Sequence, residues 1–102
     1  MSDVSIGSGS LAGRGVYANR DFSKGEVVIS YRLRLLSDTD MECLPQSERQ
    51  FTHTHGGYTY LYGEPERYMN YDSHPNTYCN VVLQVAVAAR DIQEGEMITT
   101  DA

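Results

Sequence analysis

The sequence has no tryptophan, and Lys24 is its single lysine. Fourteen acidic residues outnumber eight basic ones, giving a net charge of −6. A surface so short of cations repels phosphate backbones, which excludes direct nucleic-acid binding by the usual basic footprint. It suits a basic partner, such as a lysine-containing protein or peptide, while acidity kept for solubility alone gives the same balance. Cysteine is scarce too. Cys43 and Cys79 stand far apart with no CxxC spacing, which excludes a zinc knuckle and argues against a disulfide scaffold. No apolar run approaches the length of a membrane span, and the opening MSDVSIGSGS lacks the layout of a signal peptide. The expected setting is a reducing cytoplasm or nucleus, with no membrane partner.

Long amphipathic helices are missing as well, and short strands fill the space they leave. The 102 residues make one domain. A chain of that size buries roughly two-thirds of its unfolded surface, so its core is thin. Gly7 to Gly15 is rich in Gly and Ser and reads as loop. GVYA and EVVISYRLRLL read as strands, with NRDFSKGE carrying the turn between them. Asp38 to Gln50 is polar, with a short helix expected around Pro45. YTYLYGE alternates, which puts Tyr58, Tyr60 and Tyr62 on one strand face. NVVLQVAVAA is the longest apolar strand-like run, and GEMITT a final short strand. The fold class is mostly β.

One phrase occurs twice. RDFSKGE and RDIQEGE share Arg-Asp, an apolar residue and Gly-Glu in the same register. Each predicts a tight turn, at Lys24-Gly25 and at Glu94-Gly95, where glycine supplies the positive φ that other residues resist. Phe22 and Ile92 take the same place in each copy, where an apolar side chain tucks beneath the turn. Any two hairpins look alike, but a repeat this specific favours a pseudo-repeated β architecture.

Three blocks carry a resemblance. GRGVYANRDFSKGEVVISY resembles the opening of a SET domain, RYMNYDSHPN its Asn-His-Ser…Pro-Asn segment, and AARDIQEGEMITTD its closing Gly-Glu-Glu segment. The blocks fall in the family's order and spacing and span the chain. The resemblance implies a β-clip-like fold of small sheets with a C-terminal pseudoknot, the last segment threading beneath the loop that ends at Asn76. It implies S-adenosylmethionine as methyl donor and a protein lysine as acceptor. Without cysteine-rich flanks, residues 1–102 are similar to a single minimal SET domain of the viral histone methyltransferase type, which works as a homodimer. VAVAARDIQEGEMITTDA also resembles the opening of SAF-type β-clip modules, which bind without catalysis, but those leave RYMNYDSHPN unexplained.

Candidate site residues follow. Gly13, Arg14, Gly15 and Val16 of the first block, with Asn70 and Tyr71 of the second, are expected at the donor. Gly13 and Gly15 allow close backbone approach. Arg14 could pair with the donor carboxylate or face solvent. Asn70 offers both donor and acceptor, or simply caps a turn. Methyl transfer aligns a neutral amine with a methyl group in a dry site, and a tyrosine-walled tunnel suits that task. Eight tyrosines are available. Tyr31 is the catalytic candidate from the resemblance, and Tyr58, Tyr60 and Tyr62 are the channel candidates; taken alone each tyrosine reads first as packing, and two of the group suit channel walls. Two positions depart from the family pattern. Asn70-Tyr71 replaces its Asn-His pair, and Ala102 stands where its catalytic tyrosine is expected, supplying neither hydroxyl nor ring. His53 and His55 form an HxH pair with no third ligand at a useful spacing, so no metal is expected.

Overall fold

The computed structural model describes residues 3–80 and 82–101. The first five strands among them are β1 (Val4–Leu11), β2 (Arg14–Ala18), β3 (Val27–Ser30), β4 (Arg34–Leu36) and β5 (Thr52–His55). The others are β6 (Tyr58–Leu61), β7 (Asn70–Tyr71), β8 (Thr77–Asn80), β9 (Val85–Ala88) and β10 (Met97–Thr100). They form three small sheets, ordered β1-β2-β10-β7, β3-β9-β8 and β4-β6-β5. One helix, α1 (Asp38–Cys43), and two 3-10 helices (Gln46–Phe51 and Glu66–Tyr68) complete the described elements. The expectation of a mostly β fold of small sheets holds.

Three local expectations need correction. The Gly/Ser run from Gly7 is strand through Leu11, not loop, and it pairs antiparallel with β2. Small residues are needed there for closeness: a Cβ on Gly9 would lie 2.2 Å from the Arg14 carbonyl oxygen. The turn itself is confined to Ala12 and Gly13, both at positive φ. The apolar run NVVLQVAVAA is not one strand. Asn80 Oδ1 accepts the N–H groups of Val82 and Leu83, each at 3.1 Å, and turns the chain back into β9. The helix expected around Pro45 is two pieces, because proline cannot donate within a helix. α1 starts on a Ser37–Asp40 capping box and ends at Leu44, and the 3-10 helix begins after Pro45.

The repeated phrase becomes a reciprocal joint. The copies do not form separate hairpins; each is bonded to the other. Phe22 and Ile92 exchange both backbone hydrogen bonds, at 2.8 and 2.9 Å. Gly25 N donates to Ala88 O and Gly95 N to Ala18 O, both at 2.8 Å. Asp21 Oδ1 accepts from Glu94 N at 2.8 Å, and Asp91 Oδ1 from Lys24 N at 2.9 Å. Gly25 and Gly95 sit at φ of +91° and +90°. Beneath the turns Phe22 and Ile92 are fully buried with Val16, Ala86, Ala88 and Ile98.

The last strand is locked from both sides. β10 pairs antiparallel with β2 and parallel with β7, so the chain's end lies between its beginning and the 70–77 segment. Asn76 holds this crossing. Its Nδ2 donates to Met97 O and its Oδ1 accepts from Thr99 N, both at 2.8 Å. Buried Thr77 adds a bond from Oγ1 to Thr99 O at 2.6 Å. This interlock is the pseudoknot that the resemblance implies.

Candidate active site

A cavity of about 290 Å³ opens between the β4-β6-β5 sheet and the crossing segments. Tyr31, Tyr60, Tyr62, Phe51 and His53 are among its walls, and Met69, Cys79 and Thr100 reach it from the knot side. The Tyr31 and Tyr62 rings stand 6.0 Å apart at centroids, and His53 stacks on Tyr62 at 6.0 Å. Burial pushes the Tyr31 phenol well above its ordinary range, helped by the Cys79 thiol within hydrogen-bonding reach and by Tyr62 and Glu66 nearby. Tyr62 is raised by burial, then by Cys79 and Glu66. Both phenols therefore stay neutral and can donate at ordinary pH.

Two of the three channel tyrosines meet here, together with Tyr31. Tyr58 does not. It pairs with His55 beside the Gly56-Gly57 turn, at the tip of the β5–β6 hairpin, and is 60% exposed. Its cross-strand partner His55 lines the cavity, but Tyr58 itself is not among the lining residues.

Of the donor candidates, only Arg14 and Gly15 are seen against Asn70. Gly13 lies at the open β1–β2 turn, with nothing within 4 Å of the place a Cβ would take. Gly15 faces Asn70, whose Nδ2 would lie 3.4 Å from a Cβ there. Arg14 is exposed, its guanidinium 5.4 Å from the Tyr68 ring centroid. Val16 is wholly buried in the core, leaving it backbone atoms at most for a ligand. Tyr71 is 70% exposed. The buried Asn70 side chain is already engaged: Oδ1 accepts from Ser10 N and Ser10 Oγ at 2.8 and 2.5 Å. Its Nδ2 donates to Arg14 O and Tyr68 O at 3.0 and 2.8 Å. Asn70 thus ties β1 to the knot. Ala102 lies outside the described residues.

A family model described as the SET domain matches residues 13–101. The chain belongs to the SET domain family. A solved structure of a proposed histone methyltransferase from Plasmodium falciparum resembles this SET domain with a TM-score of 0.74. The two share 18% identity over 99% of this chain and 93% of the other, a likeness of fold. A humanized mutant of the Chaetomium thermophilum Polycomb Repressive Complex 2, bound to an inhibitor, gives a TM-score of 0.75 at 25% identity. That match covers 98% of this chain and 15% of the other. A search of curated protein sequences found no match. No described helix is long and apolar enough to cross a membrane.

Several cavity residues carried no signal in the sequence. Cys79 reads as an isolated thiol, and Glu66 is one of the two acids of GEPERYMN. His53 and His55 were weighed only as metal ligands, and both line the cavity.

Proposed function

We infer that this SET domain is an S-adenosylmethionine-dependent protein-lysine methyltransferase whose cavity is the channel for the target side chain. The observation that carries this reading is the convergence of Tyr31, Tyr60 and Tyr62 on one cavity beside the knot. Aromatic walls sheathe an aliphatic stem and attract a cation, and exclusion of water favours the transfer. Tyr31 is the positioning hydroxyl in this reading, because its buried phenol keeps its proton and lies inside the channel.

The residues around β7 fit the donor. Arg14, exposed and in none of the ion pairs among the described residues, suits a carboxylate, and the open Tyr71 ring suits a purine face. S-adenosylmethionine would bring an activated methyl group on sulfur. Asn70 holds the surrounding backbone in place, since its side-chain groups are engaged within the chain. The partner class is a basic, lysine-containing polypeptide, in keeping with the net charge of −6. Incubation with labelled donor and basic peptides tests the reading: label should appear on peptide lysine. Absence of transfer together with absence of S-adenosylhomocysteine binding by calorimetry overturns it.

A second reading is a SET-like module that binds donor or peptide without transfer. It is favoured by Ala102, which stands in register with the family's tyrosine and brings no hydroxyl. Donor binding with no labelled product supports this reading over the first.

A further inference from the structure

Glu66 is buried in the cavity wall, only 3% exposed. Its Oε2 accepts the backbone N–H of Arg32. Its Oε1 is out of contact with solvent and has no hydrogen-bond partner. Buried carboxylate oxygens are nearly always satisfied, and an open one is costly. None of the ion pairs among the described residues includes Glu66. Arg67 follows it in the chain and also lines the cavity, yet its charge is spent elsewhere. It pairs with Glu48 at 2.7 Å and donates to Tyr62 O at 2.7 and 3.0 Å. The carboxylate is also fixed in place. A Cβ on Gly63 would lie 3.2 Å from Glu66 Oε2 and 2.8 Å from Arg32 O, so the Gly63 backbone packs directly against it.

We propose that Glu66 is the specificity-determining anion of this cavity, receiving the primary ammonium of a lysine side chain from a partner polypeptide. The proposal rests on the reading of the cavity as the substrate channel. Glu66 lines the cavity together with Tyr31, Tyr60 and Tyr62. A compact ammonium with three donors suits a single unpartnered carboxylate oxygen in a tyrosine-lined wall. A guanidinium is less well matched: its planar fork seeks two parallel acceptors, and Oε2 is already taken by Arg32. The methylenes of the entering side chain lie along the rings of Tyr31, Tyr60 and Tyr62. Glu66 thereby selects a cation over an uncharged side chain of equal length, a discrimination the rings alone make weakly.

The test uses the whole protein with n-butylammonium, n-butanol and n-butylguanidinium as probes, at physiological salt to screen the acidic surface. Binding is followed at the ring signals of Tyr31 and Tyr62 by NMR. The wild-type protein should bind n-butylammonium about tenfold or more tightly over n-butanol, and also tighter than n-butylguanidinium. In Glu66→Gln, which keeps an acceptor for Arg32 N–H, the preference over n-butanol should fall to about threefold or less. Equal binding of amine and alcohol by the wild type overturns the proposal, and this arm needs no variant to fold. So does a preference that survives in Glu66→Gln. A parallel titration with S-adenosylhomocysteine separates the two readings. Donor binding without amine preference rejects the role of Glu66 alone, whereas amine preference without donor binding rejects the methyltransferase reading and leaves Glu66 as a cation seat.

Discussion

The repeated turns and the tyrosine cavity are built on opposite terms. At the turns, each copy supplies what the other lacks: Asp21 and Asp91 each accept a backbone N–H across the joint, and Phe22 and Ile92 close it below. At the cavity, phenols, a thiol and a carboxylate gather around space, and one carboxylate oxygen is left unmatched. The first region closes upon itself; the second leaves a buried acceptor without a partner within the described residues. On the proposed reading, stability and recognition are kept in separate parts of a small chain, and the two parts should answer differently to substitution.

The largest effect is expected beneath the joint. Phe22→Ala should cost about 4 kcal/mol and Ile92→Ala about 3 kcal/mol, the usual scale for emptying a filled core position. A domain of this size has only about 5–15 kcal/mol to lose, so either variant should melt well below the parent. Urea denaturation measures both. Because the two side chains occupy one core, their effects should fall short of additivity in the double variant. Full additivity would break the picture of a single reciprocal joint.

Next come the two aspartates. Asp21→Ala and Asp91→Ala each remove one acceptor for an N–H of the opposite turn, and each should cost about 1 kcal/mol. Their near-equality is the sharper prediction. Costs that differ several-fold would show that the two copies share a phrase but not a role. Neither change should alter amine preference in the cavity, since both residues lie on the exposed turns.

This contrast also explains what could be read from the sequence. The joint was legible because its parts are local: a glycine at positive φ, an apolar residue at a fixed offset, and the same acids around them. The knot was legible only through resemblance, since nothing local in SHPN says that Asn76 will bond Met97 and Thr99. The Gly/Ser run misled because composition reports flexibility, whereas the fold uses Gly9 for its narrowness against Arg14. Tyr58, Tyr60 and Tyr62 alternate identically, and only the length of the β5–β6 hairpin separates the exposed one from the other two. Glu66 was invisible because its burial is made by Arg32 and Gly63, whose approach is settled by packing.

The cavity should respond to neutralisation in the opposite sense from the joint. Glu66→Gln removes a buried charge that no ion pair among the described residues offsets, and it keeps the bond to Arg32. Stability should therefore rise by about 1 kcal/mol, read as a higher melting temperature, even as cation selectivity is lost. A fall in stability would mean that the carboxylate is already satisfied within the chain, and would weaken the contrast at its centre.

The smallest effect is confined to alkaline pH. Burial raises the phenols of Tyr31 and Tyr62 above their ordinary value, so the folded chain holds their protons more tightly than the unfolded chain does. As pH climbs past the unfolded tyrosine value of about 10, the unfolded state loses protons that the folded state retains. The unfolded state then binds fewer protons, the slope of unfolding free energy against pH is negative, and stability declines. Below that value both states are protonated and the contribution is fully present. Thermal melts from pH 8 to 11 should thus be level at first and then fall, and Tyr31→Phe should flatten the fall more than Tyr62→Phe, because the shift at Tyr31 is the larger one. Phe22 and Ile92 have nothing to titrate, so the part of this fall that Tyr31→Phe and Tyr62→Phe remove belongs to the cavity. If neither substitution changed the fall, the two phenols would be as open to water as in the unfolded chain, and the dry channel that the proposed chemistry needs would be lost with them.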